Sequence, residues 1–288
     1  VRVLITGSHG LIGNALVASL EADGHTAVRL SRGPDWRPED GFCNQSVLDA
    51  VDAVVNLAGE GLGEHRWREA QKARIVDSRV KGTAAVAQAI ARTDGAVRVL
   101  VNGSAVGYYG DRDEAVTEDS PPGRGFLAEL CLAWEEAAQQ AGPSTRVVLL
   151  RTGIVLSTKG GALAKQLPIF KLGLGGRLGD GEQWLSWIHI DDEVGAIRHA
   201  LDTAGVVGPL NATAPNPVTN AEFTKALGRA LHRPAVLAVP GFALKTAFGQ
   251  AMASEMLLAG QRVLPAKLEA TGYSFRHPLL AEALEDLL

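Results

Sequence analysis

Two cysteines, Cys43 and Cys131, are all that the 288-residue chain contains, and they form no CxxC pair. That excludes a disulfide framework and a cysteine-based zinc cluster, and it fits a reducing compartment, so a cytoplasmic location is expected. Neither sign of charge dominates: 28 Lys and Arg against 32 Asp and Glu give a net charge of −4. Such a balance supplies no excess of positive charge to hold a nucleic-acid backbone or an anionic membrane, and neither is an expected partner. Long apolar runs are missing too. The longest uncharged stretch, residues 203–221, is interrupted by prolines and asparagines, so no bilayer span is expected. No signal peptide is expected either, because the chain opens directly in a short apolar strand with a glycine motif behind it. It begins at Val1, which leaves open whether a segment precedes it. Tyrosine is scarce: Tyr108, Tyr109 and Tyr273 are the only three.

What is present is an ordinary globular composition, 46% hydrophobic and 21% charged. Residues 1–5 have a strand pattern, followed by a glycine turn and an amphipathic helix to about residue 22. Strand patterns recur at 27–30, 53–57, 97–101 and 146–150, with helices expected over 67–91 and 126–140. This alternation predicts an α/β chain built as a Rossmann doubly wound parallel sheet, covered on both faces. Only about twenty residues separate the second strand from the next, too few for a full helix and a third strand, so that element is expected to be reduced. Beyond Gly153 glycine becomes frequent and the alternation breaks. The expected organisation is a nucleotide-binding domain over 1–160, rejoined by 187–215, and a small C-terminal α/β substrate lobe made of 161–186 and 216–288.

The sharpest local signal is TGSHGLIG, ending the first strand. Gly7 suits a tight turn, Gly10 lets backbone approach a pyrophosphate, and Gly13 lets the helix pack close to the sheet. Ser8, His9, Leu11 and Ile12 complete a loop whose following helix start offers unpaired N–H groups to phosphate. At the end of the second strand a carboxylate would hold the ribose 2′-hydroxyl of NAD. Ser31 and Arg32 stand there instead, a hydroxyl and a guanidinium suited to a 2′-phosphate, so NADP(H) is the expected cofactor. No metal is expected, because Asp191 and Asp192 gather no further oxygen ligands.

With these residues the chain resembles the extended, sugar-nucleotide-epimerase-like branch of the short-chain dehydrogenase/reductase superfamily. The glycine motif matches, as do NLAG at residues 56–59, RVKGT at 79–83 and WIHIDD at 187–192. More narrowly, SAVGYYG, RTGIVLS, LGLGGRLGDGEQW and the tail GQRVLPAKLEATGYSFRHPLL resemble the "epimerase family protein" group, whose members end in a small domain of unknown function. The resemblance spans essentially the whole chain. It implies that Leu57, Ala58 and Gly59 line the adenine side, that Arg79 touches the cofactor, and that Val155 offers backbone groups near the nicotinamide.

It also exposes a departure. The superfamily carries Tyr-x-x-x-Lys on the helix after its fifth strand, with the tyrosine as acid/base and the lysine lowering its pKa. Here that helix reads Phe126-Leu127-Ala128-Glu129-Leu130, so neither group is available. Ser104, at the superfamily's substrate-orienting position, and the adjacent Tyr108 and Tyr109 are the replacement candidates. Aromatic packing explains the tyrosines equally well. Glu118 and Asp119 read more naturally as turn or cap residues than as a base. The expected function is an NADP(H)-dependent atypical reductase or epimerase acting on a small-molecule substrate, a nucleotide-sugar among the candidates. A non-catalytic NADPH sensor acting through a protein partner is the alternative, and a homodimer is compatible with either.

Overall fold

The computed structural model describes residues 1–288 and divides into two compact units, one made of Val1–Ala105, Leu130–Arg151 and Val194–Leu210, the other of Val106–Glu129, Thr152–Glu193 and Asn211–Leu288. The first is built on a six-stranded sheet. Its strands are β1 (Arg2–Thr6), β2 (Thr26–Leu30), β3 (Ala53–Asn56), β4 (Val99–Ala105), β5 (Arg146–Thr152) and β6 (Gly208–Ala212), in the order β6-β5-β4-β3-β1-β2. β1 runs parallel to β2 and β3, and β3 parallel to β4. A sheet covered on both faces buries every side chain of its central strands, hence the uninterrupted apolar runs. Val3, Leu4, Ile5, Val54, Val55 and Leu100 are all buried.

Helix α1 (Leu11–Ala22) turns Gly13, Leu16, Val17 and Leu20 to the sheet, the three-and-four spacing of an amphipathic helix. Helix α2 (Glu69–Ala91) buries Ile75, Val86 and Ile90, while its Gly82 faces the connection between β2 and β3. Helix α3 (Phe126–Ala138) precedes β5. The reduced third element is borne out: between β2 and β3 there is only a two-residue antiparallel ladder, Trp36–Arg37 with Phe42–Cys43, and two short 3-10 turns. β2 is therefore the sheet edge. The segment still contributes to the core through Trp36, Cys43 and Leu48. Trp36 and Pro38 lie against Gly82 of α2, where a Cβ would meet Pro38 at 3.0 Å.

The second unit takes more of the chain than the sequence division assigns to the lobe, adding residues 106–129, 152–160, 187–193 and 211–215. The reason is pairing. Arg112–Val116 forms a parallel ladder with Gln261–Val263, and Ile154–Leu156 with Trp187–His189, so these stretches are tied to the C-terminal part of the chain. Two further ladders join Gly176–Leu178 to Leu237–Val239 and Trp184–Leu185 to Val218–Thr219. The core of this unit gathers Leu156, Leu163, Phe170, Trp187, Phe223 and Leu284. Helix Asn220–Ala230 opens on a full capping box between Thr219 and Glu222, which satisfies two of its otherwise unpaired amides.

Candidate nucleotide-binding and active site

The chain leaves β1 through Gly7, whose φ of +66° favours glycine and where a Cβ would lie 2.7 Å from the Leu57 carbonyl carbon. At Gly13 a Cβ would come within 2.3 Å of the Gly7 carbonyl oxygen, so only glycine lets α1 approach the loop. Gly10 is the N-cap of α1 and carries no capping side chain, which leaves the first amides, Leu11, Ile12 and Gly13, without a side-chain partner. Ser8 is fully buried, and its carbonyl accepts a 2.9 Å hydrogen bond from Arg29 Nη1 on β2. Arg29 thus braces the loop, a role with no sequence motif behind it.

Beside this loop lies a cavity of about 290 Å³ lined by Gly7, His9, Gly10, Leu30, Ser31, Arg32, Trp36, Leu57, Ala58 and Gly59. Eight of the expected cofactor residues meet there. Arg32 is exposed and forms no hydrogen bond or ion pair within the chain, so its guanidinium is free for a ligand anion. The Ser31 hydroxyl lies 3.5 Å from His9 Nδ1. Trp36 lines the same cavity, and its buried indole Nε1–H has no partner. Arg79 sits one layer deeper. Its guanidinium donates to the Glu60 carbonyl at 2.9 Å, stands 5.1 Å over the Trp134 ring and abuts Gly59. Burial pushes its pKa down to about 10.

A buried polar chain crosses the strand ends. Thr6 donates to Asn56 Oδ1 at 2.5 Å, and Asn56 Nδ2 donates to Asn102 Oδ1 at 2.6 Å and Thr83 Oγ1 at 2.8 Å. Trp134 Nε1 donates to the same Thr83 hydroxyl, and Thr6 Oγ1 also accepts the Ala58 amide. Buried polar groups need partners, and here they hold the Leu57–Gly59 turn in place.

Ser104 ends this row, 5% exposed, and its hydroxyl donates to Glu135 Oε1 at 2.7 Å. Glu135 in turn accepts two hydrogen bonds from Arg151, Nε at 2.8 Å and Nη2 at 2.9 Å. The pair is buried, with side chains 2% and 9% exposed. Removing one partner of such a pair strands a charge, at a cost of about 3–5 kcal/mol. Because the Ser104 proton is committed to a carboxylate, its oxygen faces other groups as an acceptor. Cys131 lies beside it, with burial pushing the thiol up to about 11. Glu135 was not legible as a partner of Ser104, since the two are 31 residues apart on different elements.

The tyrosines divide. Tyr108 is half-buried and meets Tyr109 edge-on, with ring centroids 5.2 Å apart. Tyr109, the other replacement candidate, faces inward. It is fully buried and its hydroxyl donates to Asn211 Oδ1 at 2.7 Å, because the turn that Gly110 and Gly123 permit folds its ring inward. Phe126 opens α3, and Leu130 is buried on it. Glu118 is a buried anchor, accepting the amides of Asn211 and Lys267. Val155 lies in the second unit, on the strand paired with Trp187–His189.

Asp192 is saturated, accepting from the Tyr273 hydroxyl and from the Arg276 and His277 amides. His189, 1% exposed, accepts the Asp191 amide at Nδ1, which caps the helix Ile190–Asp202 and places the ring proton on Nε2, 3.3 Å from Asp286. His189, His277 and Asp191 lie close together, but a metal on Nε2 needs the proton on Nδ1, where the Asp191 N–H already points. Glu193 is fully buried, accepts the Thr152 hydroxyl at 2.8 Å, and leaves Oε2 unpaired. Burial raises its pKa to about 8.

Residues 3–211 match the NAD dependent epimerase/dehydratase family, and residues 239–287 match a domain of unknown function, DUF1731. The chain belongs to that epimerase/dehydratase family. It is 48% identical over 293 residues to Epimerase family protein MT2273 of Mycobacterium tuberculosis, covering 98% of this chain and 96% of that one. It is 41% identical to human Epimerase family protein SDR39U1 across the full length of both. The crystal structure of human SDR39U1 isoform 2 with NADPH superposes with a TM-score of 0.92 at 39% identity, covering 100% and 99% of the two chains. A nucleoside-diphosphate sugar epimerase from Corynebacterium glutamicum aligns with a TM-score of 0.82 at 37% identity, over all of this chain and 58% of that one. The family and the Rossmann-like fold expected from the motifs are thus both borne out.

Proposed function

We propose that this protein is an NADP(H)-dependent reductase or epimerase of an atypical kind, acting on a small or nucleotide-linked substrate. The observation that carries the reading is Arg32, unpaired in a cavity it shares with the glycine loop, with no carboxylate at the end of β2. The NADPH in the human SDR39U1 structure points the same way. The cradle fits the group: without side chains Gly7 and Gly13 let the loop, the Leu57–Ala58 turn and the start of α1 close on one another, and Gly7, Gly10 and the Trp36 ring line the cavity beside them. In this reading Gly7 to Gly13 take the pyrophosphate, Ser31 and Arg32 the 2′-phosphate, and Leu57 to Gly59 the adenine side. Arg79 supports that side from beneath, and Val155 is the residue assigned to the nicotinamide end. When bound, the nicotinamide gives or takes a hydride. Ser104, its own proton held by Glu135, would accept the hydrogen bond of one substrate hydroxyl, while the Tyr108 hydroxyl would give its proton to the oxygen of the carbonyl being reduced and regain one from water. Tyr109 drops out of that role, its hydroxyl being engaged by Asn211.

Phe126 and Leu130 favour a second reading, a protein that binds NADPH and signals without turnover. The two differ in one experiment. A protein stripped of nucleotide is titrated calorimetrically with NADPH, NADP, NADH and NAD, and the same preparation is screened for nicotinamide turnover with sugar nucleotides and carbonyls. Binding that depends on the 2′-phosphate is expected, with turnover that Ser104→Ala combined with Tyr108→Phe removes. Binding with no turnover selects the sensor, and no binding to any of the four removes both readings.

A further inference from the structure

The net charge of −4 conceals a strong segregation. Two stretches of the second unit, residues 152–179 and 223–254, hold four lysines or arginines each and no aspartate or glutamate. Taking those eight from the chain's 28 leaves 20 basic against 32 acidic residues everywhere else. None of the eight is in an ion pair. The fold brings the stretches together. Gly176–Leu178 pairs with Leu237–Val239, Arg233 Nε donates to the Lys171 carbonyl at 3.0 Å, and Gly173 lies against the Pro234 ring. Lys225, Arg229, His232 and Arg233 line one shallow hollow together with Val236.

The same two stretches carry seven of the thirteen large apolar side chains that stand exposed in the whole molecule. Val236 is 84% exposed, and Leu172 and Phe242 are each 74% exposed. These side chains sit at the end of the helix Gly161–Lys171, on the strand Leu237–Val239 and its flank, and on the short helix Gly241–Phe248, which also bears Lys245. Contiguous apolar exposure rimmed by polar groups marks an interaction surface. Its charge limits the occupant. A second copy would set this positive face against another, which like-charge repulsion disfavours. Protein interface cores are depleted in lysine, and five of the eight cations here are lysines. Projecting aliphatic and phenyl groups among unpaired cations match the boundary between anionic headgroups and acyl chains, where two weak signals add.

We propose that this face of the second unit docks on an anionic lipid surface, with Leu172, Val236 and Phe242 entering the acyl boundary and Lys225, Arg229 and Arg233 contacting the headgroups. The test is flotation of the full chain with phosphatidylcholine vesicles, with and without phosphatidylglycerol, at low and high salt. Binding is expected only to the vesicles containing phosphatidylglycerol, and it should weaken with salt. Lys225→Glu with Arg229→Glu, both on the exposed side of their helix, should lower vesicle affinity at least about tenfold. Val236→Ser with Phe242→Ser should lower it as well, while both double variants keep the wild-type thermal midpoint, which shows that they fold. Equal binding to neutral vesicles, no binding to either, or double variants that bind like the wild type would each overturn the proposal. So would capture by an acidic protein without vesicle binding.

Discussion

Single residues carry most of the chemistry, and three of them give sharp expectations. Arg32→Asp replaces an unpaired cation in the cavity beside the glycine loop with a charge that repels a 2′-phosphate. NADPH affinity should fall about 10- to 100-fold, the worth of a charge-assisted hydrogen bond, with little change for NADH. Calorimetric titration checks it, and equal losses for the two nucleotides would sink the assignment. Glu193 is a buried carboxyl whose pKa is raised to about 8 from an ordinary 4.5, so the folded state holds its proton more tightly than the unfolded one. The sign follows from linkage: this stabilisation is complete below about pH 4.5 and is lost as the pH rises toward 8. Glu193→Gln removes the titration, and thermal melts between pH 5 and about 9 should show a flatter profile than wild type. Glu135→Gln leaves Arg151 buried beside a neutral amide. It should cost about 3–5 kcal/mol in urea unfolding, far more than Ser104→Ala, which removes a hydrogen bond but no charge.

At the scale of elements, the β1–loop–α1 unit is where sequence and structure agree most closely. Its signal is local: three glycines within seven residues set the turn, the approach and the packing; Gly10 and Gly13 meet only this segment, and Gly7 alone also meets the Leu57–Ala58 turn after β3. Gly13→Ala is the direct test, since the added Cβ would sit 2.3 Å from the Gly7 carbonyl oxygen. The expected outcome is loss of nucleotide binding together with a lowered melting temperature; a variant that binds NADPH normally would show that the loop can move aside. The β2–β3 connection was legible by arithmetic alone, because too few residues remained for a helix and a strand. What fills the gap was not legible. Trp36 sits in that short ladder and lines the cavity beside the glycine loop through a fold that no periodicity announces.

On the scale of the molecule, ligand linkage provides a check on the nucleotide reading. NADPH at about a hundred times its Kd should add about 2.7 kcal/mol to stability, visible as a rise of several degrees in the thermal midpoint, with a smaller rise for NADH at equal concentration. No shift with either nucleotide would argue against the cavity as a nucleotide site. Charge, too, has to be read at this scale. A chain-wide balance of −4 argues against an anionic partner, yet Lys225, Arg229 and Arg233 gather round one hollow and Arg233 reaches the Lys171 carbonyl, a local concentration of the opposite sign. No helix is long and apolar enough to cross a membrane.

The sequence by itself determined what short-range pattern can encode: the alternating strands and helices, the glycine cradle, the Ser31–Arg32 pair at the edge of β2, and the apolar Phe126 and Leu130 in the first turns of α3. Each of these rests on neighbouring residues or on one helical repeat. Only the tertiary structure decided which side chains meet across long separations. It gave Ser104 to Glu135 and Arg151, buried Tyr109 against Asn211 at a distance of 102 residues, and moved residues 106–129 into the second unit. Such partners are chosen by the need to satisfy buried polar groups and pair strand edges, and that need arises only once the chain has been packed.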